Sequence, residues 1–339
     1  MPVAIERDGT NIWAATLRER RLRRGKIGDR GRRLSVALVN NMPDAAVLAT
    51  QRQFVRLLEA GAETFDVTLG LTTLRSVVRT PELRREMAEL YRSPADLALA
   101  APDAIIVTGA EPRAAELDEE PYWRELVALF DFARARTFAT LASCLAAHAL
   151  VLHRDEVRRV RSPRKWSGLY LTEVAASHSL TEGLSAGLTP HSRWNGLDEQ
   201  ELEAKGYIVL TRSPETGIDM FARDDEHLAL FFQGHPEYDG DTLAREFRRD
   251  VMRAVHEGGK PPEPPAGYYP PEVEARLRAQ VAGMLAGTES PHLPAEAMVG
   301  PEASWRRRGG VVISNWLTAI AARKTAAKAE SFSRVRWGG

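Results

Sequence analysis

The sequence predicts an α/β protein built on a doubly wound, mostly parallel sheet, and two observations carry that prediction. Short apolar, β-branched runs at 34–39, 65–71, 104–107, 137–142, 206–211 and 227–232 alternate with helical stretches, the pattern of repeated βαβ units. Polar turns at 40–44, 108–113, 143–145 and 234–239 follow four of those runs. Open parallel sheets gather their sites outside the carboxyl ends of the strands, so these turns are expected to converge.

In chain order, residues 1–33 form a basic arm in which Arg18, Arg20, Arg21, Arg23 and Arg24 crowd together. No aromatic side chains are interleaved with those charges and the arm has no apolar signal-peptide core, so it is assigned no chemistry. Leu34–Val39 reads as the first strand, Ala45–Ala60 as a helix and Phe65–Leu71 as the second strand. Ala104–Val107 is the third strand, followed by a helix that begins at Tyr122-Trp123. The body is expected to span 34–257. A Pro-rich segment at 258–271 should run over the surface to a helical extension that ends at 339 and packs on the same body.

The stretch 137–153 holds the only cysteine of the chain. Thr137–Ala142 suits a buried strand, Ser143-Cys144 a tight turn, and Leu145–Leu152 a helix, which together make a nucleophile elbow. A thiol there lies near the first unpaired N–H groups of a helix, which favour thiolate and could hold an oxyanion. The same cysteine would also suit a small core position. The run 228–232 leads into Gly234-His235-Pro236-Glu237-Tyr238-Asp239. Residues two apart in extended chain face the same way, so His235 and Glu237 can act as a base and the carboxylate that fixes its tautomer. Read alone, His235 would equally suit a polar turn.

Composition narrows the field further. The 339 residues carry 46 basic and 46 acidic side chains, which gives no global case for nucleic acid or membrane and points to small-molecule partners. One cysteine allows no internal disulfide and no multi-cysteine zinc site, and no apolar run approaches a bilayer span, so the chain reads as cytoplasmic. G-x-S-x-G, P-loop and G-x-G-x-x-G motifs are absent, and the histidines lack HExxH spacing.

Ten segments in one order are distinctive: Val39–Pro43, Gln53–Leu58, Val107–Ala110, Tyr122-Trp123, Lys165–Gly168, Pro190–Arg193, Gly234–Asp239, Asp241–Asp250, Ala303–Arg306 and Ser314–Leu317. Through them, over about residues 34–320, the chain resembles the homoserine O-acyltransferases (homoserine O-succinyltransferase family) of methionine biosynthesis, which share the class I glutamine-amidotransferase-like, flavodoxin-like fold. The resemblance implies an acyl-enzyme on Cys144, with His235 as base and Glu237 as its partner. It also implies that Lys165, Ser192 and Arg249 contact substrate. Acyl-CoA would be a co-substrate, L-homoserine the acceptor, no cofactor would be needed, and the chain would form a homodimer.

Two departures stand out. The family usually has Trp after its cysteine and Gln four residues on, whereas this chain has Leu145 and His148. At the turn associated with acyl choice it has Glu111-Pro112-Arg113, and Arg113 would complement the free carboxylate of a succinyl group. The same Cys-His-Glu set would also serve a glutamine amidotransferase or related cysteine hydrolase, and the altered residues after Cys144 would fit a non-catalytic binding protein.

Overall fold

The computed structural model describes residues 3–7, 10, 11, 33–110 and 112–336. Most of the basic arm and Glu111 therefore lie outside the described residues.

The elements in chain order are β1 (Val3–Arg7), β2 (Thr10–Asn11), β3 (Arg33–Val39), α1 (Val47–Gly61), β4 (Asp66–Thr72), α2 (Pro81–Met87), β5 (Tyr91–Arg92), α3 (Pro94–Ala100), β6 (Ala104–Val107) and α4 (Trp123–Arg136). They continue with β7 (Ala139–Ser143), α5 (Leu145–Asp155), β8 (Val160–Val174), β9 (Gly187–Gly196), α6 (Glu199–Ala204), β10 (Ile208–Ser213), β11 (Gly217–Asp224), β12 (Leu228–Phe232), α7 (Thr242–Glu257), α8 (Pro271–Leu285) and α9 (Trp305–Arg336).

The sheet order is β2-β1-β4-β3-β6-β7-β12-β11-β10-β8-β9, with β5 beside β4. From β1 to β12 neighbouring strands are parallel. β7 and β12 are buried along their whole length, as strands covered on both faces must be. Alternation sorts side chains to the two faces. Val36 and Leu38 meet Phe54, Leu57 and Leu58 of α1 and Ile313, Trp316 and Leu317 of α9, while Ala37 and Val39 share the other core with Leu126, Phe130, Ala147 and Val151 of α4 and α5. α1 buries Phe54, Leu57, Leu58 and Gly61, an i, i+3, i+4, i+7 stripe. This is the doubly wound architecture that the sequence predicts.

The other half was only partly visible in the sequence: the runs at 206–211 and 227–232 are β10 and β12, whereas β8, β9, β11 and the antiparallel direction were not expected. β8 and β9 form a long antiparallel hairpin, and β10, β11 and β12 continue antiparallel, so the sheet carries an antiparallel wing beside its parallel core. In the hairpin Thr172, Thr189 and Arg193 are buried while Leu171, Val174, Leu188 and Trp194 are exposed, which leaves a weak apolar signal. The Pro-rich segment also differs from the expected surface linker. Pro264, Pro265, Tyr268 and Tyr269 are buried, and Ala266 exchanges backbone hydrogen bonds with Ser167 and Leu169 of β8, each 2.8 Å. Aromatic area, hidden in a segment judged by its prolines, draws it onto the body. No helix among the described residues is long and apolar enough to cross a membrane.

Candidate active site

The register of two strands places the nucleophile beside the base. β7 and β12 run parallel with Ser143 opposite Phe232, so both chains leave the sheet at the same level. The Cys144 N–H donates to the Phe232 carbonyl at 2.7 Å, which ties the cysteine to the strand that carries the histidine. Cys144 adopts φ 53° and ψ −114°, positive-φ backbone that a non-glycine residue rarely occupies and holds only under tertiary constraint. Its side chain makes no capping bond to α5, and the thiol remains partly exposed. Gly109, in the turn after β6, packs against the first residue of α5, where a Cβ would stand 3.3 Å from the Leu145 nitrogen. That close approach leaves the turn after β6 and the N-terminus of α5 side by side around the thiol.

His235 Nδ1–H donates to the Glu237 carboxylate Oε1 at 2.8 Å, and both side chains are buried. Burial pulls the imidazole pKa down, but the Glu237 carboxylate and the Cys144 thiol outweigh it and hold the value well above the ordinary one. Nε2 is buried and makes no hydrogen bond of regular geometry, while Cys144 acts on the ring as its neighbour. Tyr238 stacks on the imidazole, with ring centroids 4.2 Å apart and planes 18° from parallel. Burial, reinforced by Glu246, Glu237 and Cys144, raises the Tyr238 phenol well above its usual pKa, so its hydroxyl donates to Glu246 Oε1 at 2.8 Å. Glu246 in turn accepts from the Ser192 hydroxyl.

The structure thus brings Cys144, His235 and Glu237 together and joins Ser192 to them through Tyr238 and Glu246. Lys165 and Arg249 form a neighbouring pair around one carboxylate: Lys165 Nζ is 2.7 Å from Asp250 Oδ2, and Arg249 reaches Asp250 Oδ1 at 2.8 and 2.9 Å. Burial raises the Asp250 pKa, yet the two cations outweigh it and leave it lowered. Arg113 is exposed. Its backbone N–H donates to Glu120 Oε1 at 2.6 Å, and its side chain makes no ion pair among the described residues.

Sequence reading did not single out Tyr238, Glu246, Asp250, Gln233 or Arg193. Tyr238 follows the His-x-Glu directly, and Glu246 and Arg249 share a helix face three residues apart, a spacing equally common in surface ion pairs. His148, four residues after Cys144, is buried with Nε2 2.9 Å from Gln233 Oε1, and burial pushes its pKa down to about 4. It is therefore a neutral strut between α5 and the end of β12. Arg193 is buried, donating to the Asn195 carbonyl at 2.7 Å and the Thr216 carbonyl at 2.6 Å, and burial lowers its pKa against the raising influence of Cys144 and Asp219.

The turn that carries the base is clasped from the far end of the chain. Trp305 Nε1 donates to the Tyr238 carbonyl at 3.0 Å, and Arg306 bonds Asp239 Oδ1 at 2.7 Å, as does Arg56 of α1. The His235 N–H reaches the Pro190 carbonyl of β9 at 2.7 Å.

The sequence model of homoserine O-succinyltransferase matches residues 21–327. The chain belongs to the homoserine O-succinyltransferase family. It is 44% identical over 299 residues to a homoserine O-succinyltransferase of Methylorubrum extorquens, covering 86% of this chain and 88% of that one. It is likewise 44% identical over 296 residues to one from Rhodopseudomonas palustris, covering 85% and 88%. Among solved structures, a glutamine amidotransferase of Thermotoga maritima superposes with a TM-score of 0.50 at 11% identity, covering 85% of this chain and 98% of that one. The fold is class I glutamine-amidotransferase-like, and a member of the family is built on it here with a C-terminal helix packed against the sheet.

Proposed function

We propose that this protein transfers a succinyl group from succinyl-CoA to the hydroxyl of L-homoserine, a step of methionine biosynthesis, through an acyl-cysteine intermediate on Cys144. The observation that carries the reading is the level exit of β7 and β12, which sets a strained, partly exposed thiol beside a buried His–Glu pair. Membership of the family supports succinyl as the group moved and homoserine as its acceptor.

In the first half-reaction the Cys144 thiolate, with its proton on His235, attacks the thioester carbonyl. The oxyanion is met by N–H groups at the N-terminus of α5 and in the adjoining turn at Gly109. CoA leaves as a thiol with the proton from His235. In the second, neutral His235 takes the proton of the homoserine hydroxyl as it attacks the acyl-thioester, and Cys144 is released. Glu237 holds the proton on Nδ1, so Nε2 faces the reacting atoms. Lys165, Ser192 and Arg249 border the acceptor, and Arg249 suits its carboxylate because a guanidinium binds a carboxylate in two-pronged fashion. That role requires Arg249 to exchange its Asp250 contact for the substrate.

Arg113 selects succinyl over acetyl by pairing with the distal carboxylate, a role its side chain suits because it is exposed and makes no ion pair among the described residues. A bond of that kind contributes roughly 1.5–3 kcal/mol, about 10- to 150-fold in specificity. Arg113→Gly should lower the succinyl-to-acetyl ratio of kcat/KM by loss of the succinyl reaction, and an unchanged ratio would remove Arg113 from donor choice. The reading as a whole is tested by following CoA release from succinyl-CoA and from acetyl-CoA with and without homoserine, beside glutamine hydrolysis. Homoserine-dependent CoA release from succinyl-CoA supports it. Glutaminase activity without acyl transfer overturns it.

A further inference from the structure

Charges balance over the whole chain, yet five of the eight residues from Arg158 to Lys165 are basic and none is acidic. Two of these five are neutralised by carboxylates: Arg158 reaches Glu116 and Asp118 at 3.1 and 3.3 Å, and Lys165 reaches Asp250. Arg159 donates to the Ala115 carbonyl through Nη2, while its Nη1 is buried with no partner. Arg161 and Arg164 are exposed, and neither pairs with a carboxylate among the described residues. Each instead lies over an indole: Arg161 is 4.8 Å from the ring centre of Trp194, and Arg164 is 4.3 Å from that of Trp166.

Backbone register shows why these groups stand out from the body. In the β8–β9 hairpin Arg161 pairs with Asn195 and Trp166 with Arg193, so residues 162–165 of one strand bulge opposite the single residue Trp194 of the other. The Trp166 indole N–H braces the bulge on the Ser162 hydroxyl at 3.0 Å. Trp194 is 43% exposed, a large apolar face open to solvent and flanked by cations. The bulge adjoins the site on both strands. Lys165 closes it on the side of α7, and Arg193, the residue before Trp194, is buried close enough to Cys144 to feel its charge.

We infer that the β8–β9 bulge docks the phosphorylated nucleotide end of the CoA thioester, with Arg161 and Arg164 on the phosphates and the Trp194 indole against the adenine. The inference rests on the acyl-CoA reading above and extends it to residues that take no part in the chemistry. Charge complementarity selects the ligand: guanidinium groups without carboxylate partners favour phosphate oxygens, and an exposed indole offers a stacking surface to a base. The flexible arm of the carrier then spans from the bulge to the thiol, so the donor is held at a distance from the reacting carbonyl. Acceptor and acyl groups bind elsewhere, which makes the surface a determinant of KM for the carrier and not of kcat.

The test compares succinyl-CoA with succinyl-pantetheine, which lacks the nucleotide, in the wild type and in Arg161→Ala/Arg164→Ala at saturating homoserine. The variant should raise KM for succinyl-CoA by about 10- to 100-fold, leave kcat within about twofold, and leave kcat/KM for succinyl-pantetheine unchanged. Trp194→Ala should raise the same KM by about 10-fold. Calorimetric titration with free CoA should show binding to the wild type that weakens in the double variant and, for the wild type, with added salt. A double variant with unchanged KM and unchanged CoA affinity overturns the inference while leaving the transferase reading intact. Equal losses with both donors overturn it too, as does a change in oligomeric mass with no change in KM, which would assign the bulge to contacts between copies. A wild type that neither turns over succinyl-CoA nor binds CoA overturns the transferase reading first.

Discussion

The two halves of the reactive pair are held in opposite ways. The nucleophile elbow is local: β7, Cys144 and α5 are continuous in the chain, and at the turn residue itself one backbone hydrogen bond, from the Cys144 N–H to the Phe232 carbonyl, reaches another strand. The base turn, Gly234–Asp239, is held from far away by Pro190, Arg56, Trp305 and Arg306, and Gly309 of α9 packs directly against Pro236. Positive-φ backbone aims the thiol, whereas a clasp from about seventy residues downstream sets the imidazole. Altering the elbow should therefore change chemistry with little loss of structure. Altering the clasp should move both together.

The largest effect belongs to the elbow. Cys144→Ala and Cys144→Gly should both abolish turnover, since neither has a nucleophile, but their stabilities should differ. Glycine relieves the positive-φ backbone that alanine keeps, so Cys144→Gly should be more stable than Cys144→Ala by about 1 kcal/mol in chemical denaturation. Equal stabilities would mean that the turn stores no strain.

Next comes the base. His235→Asn should cost roughly 10²–10⁴ in kcat by removing proton transfer. Glu237→Gln should cost less, and its stability should depend on pH. The His235 pKa is raised in the folded protein, so its ion pair with Glu237 contributes fully below the unfolded value of about 6.5 and fades as pH climbs through the native value. The gap in Tm between wild type and Glu237→Gln should be widest near about pH 6 and narrow toward alkaline pH. A gap that widens with pH would contradict the pairing.

A smaller effect should come from the clasp. A Cβ at Gly309 would stand 2.9 Å from the Pro236 Cβ and 2.7 Å from a terminal carbon of Leu57. Leucine can rotate away, but the proline of the base turn cannot. Gly309→Ala should thus cost roughly 1–3 kcal/mol through overpacking, despite the better helix propensity of alanine. It should lower kcat by about 10-fold although it touches no reacting group. Trp305→Phe keeps most of the buried ring and loses only the bond to the Tyr238 carbonyl, which should cost about 1 kcal/mol with a slight change in rate. If Gly309→Ala were stable and fully active, the base turn would stand without its clasp.

The same contrast explains what was legible in the sequence. Continuous apolar runs such as Leu228–Phe232 announce strands buried on both faces, and Ser143-Cys144 before an alanine-rich helix announces an elbow, because both signals are local. The spacing of His235 and Glu237 was equally readable. The hairpin of β8 and β9 was not, since Arg161, Arg164 and Lys165 interrupt its apolar pattern and its register includes a four-residue bulge. Nor could any local pattern link Trp305 to Tyr238, or Glu246 to Ser192, pairs separated by 67 and 54 positions. Burial of Tyr268 and Tyr269 beneath a Pro-rich stretch was hidden for the same reason: composition describes the segment, but tertiary contacts place it.

The central claim is that Cys144, aimed by the elbow and served by His235, carries the acyl group. Intact-mass analysis and peptide mapping after brief mixing with succinyl-CoA, in the absence of homoserine, test it most directly. The account predicts one succinyl adduct per chain on the peptide containing Cys144, absent from Cys144→Ser and discharged when homoserine is added. Full turnover with no adduct at any time, or an adduct on another residue that homoserine discharges at the turnover rate, would contradict it.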